Sequence, residues 1–95
     1  MNPFTGEIPI NLGEEIDLAF ANVAYTLQQA GGKGWEQVYK VRWYSPPLGI
    51  EARWHIVRNL RKYCSSSQPV LDPVGVQALA YGLRIEIEVA ADLNQ

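Results

Sequence analysis

The chain has 95 residues, 47% of them hydrophobic and 19% charged, with a net charge of -2, which fits one small globular domain and gives no general attraction for nucleic acid. Its single cysteine, Cys64, and single histidine, His55, exclude an internal disulfide framework and a metal cluster, so no metal and no cofactor are expected and a reducing, cytoplasmic setting is. No stretch approaches the ~20 apolar residues of a membrane span, and MNPFTGEIP lacks the charged-then-apolar pattern of a leader.

The opening residues, Asn2 to Leu12, read as a loop, because NPFTGEIPI combines prolines and a Thr-Gly turn with a short apolar tail. Between Gly13 and Gly31, the residues Ile16, Phe20, Val23, Leu27 and Ala30 recur at helical spacing and form one apolar face. Glu14, Glu15 and Asp17 suit the first turn of that helix, and Gly31-Gly32 stop it. EQVYKVRWY, from Glu36 to Tyr44, alternates Tyr39, Val41 and Trp43 against Val38, Lys40 and Arg42 and predicts a half-buried strand ended by Pro46-Pro47. A second helix is expected from about Ile50 to Cys64, with Ile50, Trp54, Val57, Leu60 and Cys64 facing inward. Arg53, Arg58, Arg61 and Lys62 fall largely on its other side, where a solvated face is the simplest reading and a phosphate contact the alternative.

After the loop at Ser65-Ser66-Ser67, VGVQALAY and LRIEIEVAA predict two strands separated by Gly82, close enough for an antiparallel hairpin. In the second, Leu83, Ile85, Ile87 and Val89 point to the core while Arg84, Glu86 and Glu88 form a polar face. Two helices must then cover one face of a small mixed sheet, an α+β two-layer sandwich forming a single domain over residues 1–95. A chain this short buries only ~60–70% of its unfolded surface, so self-association is expected.

NPFTGEIP, LQQAGGKGWEQVYKVRWY, SQPVLDPVGVQAL and LRIEIEVAA together resemble the Rid family, the reactive-intermediate deaminases also called YjgF-like or L-PSP endoribonuclease-like proteins. The resemblance spans about Asn2 to Leu93. It implies a chorismate-mutase-like sheet backed by two helices, a homotrimer with a cleft at each subunit interface, and hydrolysis of enamine and imine intermediates in active members. Some members are linked to RNA cleavage or translation inhibition. Two departures stand out. The family pattern follows a proline with an arginine two residues on, which holds the substrate carboxylate, and with a cysteine two residues further. Aligning Pro69 puts Leu71 at the arginine and Pro73 at the cysteine. A guanidinium grips a carboxylate through two charge-assisted bonds, whereas an isobutyl group offers only contact. Full-length members also precede the NPxTGE turn with further strands that include a Gly-Pro-Tyr motif, and here only Met1 precedes Asn2; the family's N-terminal strands are therefore expected to be absent, leaving a strand edge to be covered.

The resemblance sets Glu86 at the glutamate that holds the hydrolytic water, the catalytic candidate; its bland alternative is a surface carboxylate paired with Arg84 or a cross-strand neighbour. Leu71, Val74, Gly75 and Val76 are the candidate cleft lining, with backbone amides near Val74 to Val76 polarising a substrate if deamination survives. Asp72 has the wrong sign for a carboxylate ligand and suits a turn before Pro73. Cys64 reads as a buried structural thiol, His55 as an ordinary helix residue, and Trp35, Trp43 and Trp54 as packing or interface residues. The expectation is a Rid-like protein without the arginine-dependent imine deaminase site, binding a small molecule or serving a regulatory role, with a small carboxylate or imine as the ligand. A divergent deaminase using Glu86 and an L-PSP-type endoribonuclease are the alternatives.

Overall fold

The computed structural model describes residues 8–47, 49–65 and 68–92. The NPxTGE turn at residues 2–7, most of the serine loop and the last three residues lie outside the described residues. Helix α1 runs Leu12–Gln29 and is capped by Asn11, whose Oδ1 accepts the Glu14 N–H at 3.0 Å and satisfies one donor the helix cannot. Ile16, Phe20 and Leu27 are buried and Val23 partly so; Ala30 lies past the helix end and is exposed. Gly31, at φ +86, closes the helix: its N–H bonds Gln28 O and the Gly32 N–H bonds Leu27 O, each at 3.0 Å, the Schellman pairing that a left-handed residue permits.

Trp35–Gln37 form a tight 3-10 turn, so strand β1 occupies Val38–Ser45 and starts two residues later than the alternation suggested. Its first two residues also differ in face from that expectation, while Val41 and Trp43 face the core as expected. A bulge between Val38 and Lys40 inserts one residue, which puts Val38 (3% exposed) on the core side with Val41 (0%) and turns Tyr39 out at 58%.

The expected hairpin is corrected. Strand β2, Val70–Gly75, pairs parallel with β1, and strand β3, Glu86–Ala91, pairs antiparallel with β1 on its other side, giving the order β2-β1-β3. Val76 to Leu79 leave the sheet, and a 3-10 turn at Ala80–Gly82 follows. Pro73 lacks a backbone donor, which suits an edge strand, and a parallel pair needs the long crossover that a helix supplies. That helix is α2, Ile50–Tyr63. Both helices pack on one face of the mixed sheet, an α+β fold with Ile16, Phe20, Val41, Ile56 and Ile85 in its core.

The inward face of α2 is also corrected: Ala52, Ile56 and Asn59 are buried with Cys64, whereas Ile50, Trp54 and Val57 are exposed. Contacts with α1 set this rotation. A Cβ on Gly13 would lie 2.6 Å from His55 Cε1, so only glycine admits the imidazole there. Asp17 Oδ1 accepts from Asn59 Nδ2 at 2.8 Å and from Arg58 Nη2 at 2.6 Å. Burial alone would raise the Asp17 carboxyl, but the hydrogen bonds from Asn59 and Arg58 and the Arg58 charge outweigh it and hold it below the ordinary carboxylate range. A depressed carboxylate stabilises the fold above its unfolded value, near 4, and loses that contribution as pH falls through the lower folded value. Urea midpoints measured from neutral pH into the acid are therefore expected to fall more steeply for the native chain than for Asp17→Asn.

Arg84 does not join Glu86 and Glu88 on the polar face. Its Nε bonds Glu15 Oε1 at 2.6 Å and its backbone N–H bonds Glu15 Oε2 at 2.7 Å, while its Nη2 reaches the carbonyls of Pro9 and Ile10 at 3.1 and 2.9 Å. Glu15, placed by its spacing among the first-turn acids, is fully buried.

Candidate ligand cavity

A cavity of about 540 Å³ lies between one flank of α2 and the helix-covered side of β1 and β2. Sheet register builds the floor: Val41 lies opposite Leu71 and Trp43 opposite Pro73, and directly opposed residues share a face. Trp43, Leu71 and Pro73 line the cavity from the sheet, and Ile56, Val57 and Leu60 line it from α2. Ser45, at the end of β1, and Arg53, in the first turn of α2, are its polar and charged side chains.

The residues singled out from the sequence divide between two faces. Leu71 lines the cavity. Val74 and Glu86 both lie opposite Tyr44 and so project from the other, open face of the sheet. Gly75 pairs with Ser45 at the strand end, and the Val76 N–H is bonded to Ser45 O at 3.0 Å. Within one subunit, Glu86 and Leu71 therefore share no site. The open face is polar and self-paired: Arg42 Nε bonds Asp72 Oδ2 at 2.8 Å, and the Tyr44 hydroxyl bonds Glu88 Oε2 at 3.3 Å. Asp72 is thus a strand residue with a cross-strand cation as partner.

The Cys64 thiol is buried, and burial pushes its ionisation up, away from a nucleophilic thiolate. Arg58 Nη2 lies 3.0 Å from His55 Nδ1; a guanidinium only donates, so that nitrogen accepts. Trp35 is a core residue whose Nε1 donates to Phe20 O at 3.2 Å, Trp43 is half-buried in the cavity floor, and Trp54 is 60% exposed. Among the described residues no group of His, Cys, Asp and Glu is placed to hold a metal ion, and no helix is long and apolar enough to cross a membrane. Sequence spacing did not single out Arg53, since a basic residue beside Arg58 and Arg61 reads as part of a solvated face. The apolar Val57 and Leu60, one turn on along the same flank of α2, were the available signal.

No family model and no curated protein matches the sequence. Solved structures do match. YyfB of Yersinia pestis, a protein of unknown function of the conserved Rid protein family, superposes with a TM-score of 0.83 and 26% identity over 97% of this chain and 71% of its own. Rv2704 of Mycobacterium tuberculosis, of the YjgF/YER057c/UK114 family, gives 0.73 and 25% over 87% and 69%. E. coli TdcF with bound serine gives 0.78 and 22% over 94% and 70%.

Proposed function

We propose that the chain is a protein of the Rid family, whose two helices on a small mixed sheet it shares, and that it is a small-molecule binding protein built without the arginine-dependent imine deaminase site. The separation of Leu71 from Glu86 carries this reading. Leu71, aligned with the substrate-gripping arginine, presents an isobutyl group to the cavity, and Glu86 stands on the opposite face of the sheet. The Val76 amide, one of those a deaminase would direct at its substrate, is already bonded to Ser45. TdcF, of the same fold, holds serine, which supports a small-molecule ligand.

Self-association as a homotrimer in a cytoplasmic setting completes the proposal. Among the described residues the outer edges of β2 and β3 have no strand partner, and Val70 of β2 and Ile50, which shares the cavity with Leu71 and Pro73, are exposed at 64% and 84%; both features favour coverage by another subunit. An endoribonuclease finds less support, because Arg42, Arg58 and Arg84 are each tied to a carboxylate within the chain.

Freshly generated 2-aminoacrylate provides the test. Ammonia and keto acid are expected to appear no faster with the protein than in buffer. Turnover that disappears in Glu86→Ala would sink the binding-protein proposal in favour of a divergent deaminase.

A further inference from the structure

We propose that Arg53 is the anion-holding residue of this cavity, and that the ligand is a monoanion with a compact apolar body. The inference rests on the cavity being a small-molecule site. Its volume, about 540 Å³, lies within the range of ligand pockets, which combine apolar walls with a few converging polar groups. Two such groups are present, and both are unoccupied. Neither the Arg53 guanidinium nor the Ser45 hydroxyl has a partner among the described residues, in contrast to Arg42, Arg58 and Arg84, which pair with Asp72, Asp17 and Glu15.

Helix stability does not account for Arg53. It stands in the first turn of α2, where the helix dipole disfavours a cation. The acid of that turn, Glu51, reaches His55 at 3.8 Å. An arginine in this position costs the helix a little and brings a two-pronged donor to the wall of a largely apolar cavity.

The lining also limits the ligand's charge and shape. Among the described residues no carboxylate lines the cavity and Arg53 is its sole cation, so a single negative charge is matched and a dianion is not. A carboxylate suits the guanidinium fork best. Ile56, Leu71, Pro73 and most of the Trp43 ring offer apolar surface, so a polar body would lose most of its hydration without replacement.

Titration of the isotope-labelled full chain with hexanoate, hexanol and hexylammonium at neutral pH tests this, read at the Trp43 indole N–H and the Arg53 Nε–H. Hexanoate is expected to bind most tightly and hexylammonium least. Arg53→Gln should weaken hexanoate roughly tenfold or more, while hexanol stays within about twofold, because only the anion loses a charge-assisted pair. Equal affinity for hexanoate and hexanol, or an unchanged hexanoate affinity in Arg53→Gln, overturns the role of Arg53 and leaves the cavity a ligand site. Silence of the Trp43 indole toward all three compounds overturns the cavity and Arg53 together.

Discussion

Glu15→Ala is expected to destabilise the protein by about 3 kcal/mol, the lower part of the range for removing one partner of a buried ion pair. A chain of this length has roughly 5–14 kcal/mol in total, so the variant should remain folded at room temperature with a much lower urea midpoint. The magnitude follows from geometry. Glu15 is fully buried, and its two oxygens accept the Arg84 Nε–H and N–H at 2.6 and 2.7 Å. Alanine would leave both donors and a guanidinium facing a void. The Arg84 side chain is 34% exposed, so water can reach the charge, which is why the upper part of the range is not expected. Replacing both partners by methionine should cost less than the sum of the single changes, since the charge and its counter-charge leave together. Additive losses would show that the two side chains contribute separately. Hydrogen exchange in Glu15→Ala should rise first at the start of β3, because the same arginine ties Pro9 and Ile10 to the residue two places before Glu86.

That clasp also marks where sequence reasoning stops. Glu15 and Arg84 are 69 residues apart, and no periodic pattern connects them; locally, one is a first-turn acid and the other a polar strand position. Helix α1 was legible because a helical apolar spacing and a Gly-Gly stop act within a few residues of the structure they cause. The start of β1 was not, since one bulged residue exchanges the faces of Val38 and Tyr39 while Val41, Arg42 and Trp43 keep theirs. VGVQALAY and LRIEIEVAA are near neighbours in sequence, which favours a hairpin, but β2 finds its partner across α2. In α2 two stripes compete: Ile50, Trp54 and Val57 form the more apolar one, and Ala52, Ile56 and Asn59 the one that Gly13 and Asp17 select. The candidate site shares this limit. Leu71 was singled out through the family resemblance, for a cleft between subunits, and it lines a cavity within one subunit, whereas Arg53 becomes a candidate only once the flank of α2 that carries it is seen to face β2.

Phe20→Ala is expected to be the most damaging change in the core, lowering stability by about 3–5 kcal/mol. Phe20 is 1% exposed, and its ring lies 5.1 Å from that of Trp35 and 6.0 Å from that of Tyr63, with Trp35 and Tyr63 themselves 5.6 Å apart. Three rings thus close a triangle between α1, the turn before β1 and the end of α2. Removing one ring forfeits its burial and two aromatic contacts, each adding about 0.5–1.5 kcal/mol beyond area. The bond from Trp35 Nε1 goes to the Phe20 carbonyl and survives the substitution, so the loss measures packing rather than a missing acceptor. At about 4–8 °C per kcal/mol for a domain of this size, the midpoint should fall by more than ~12 °C. Phe20→Leu fills most of the space and should cost less than half as much. Tyr63 ends α2, whose first turn carries Arg53, so near-UV circular dichroism of Phe20→Ala should weaken together with any hexanoate response at the Trp43 indole. A loss below about 1 kcal/mol would mean that the surrounding side chains collapse into the space, and that the triangle is not what holds α2 over the cavity.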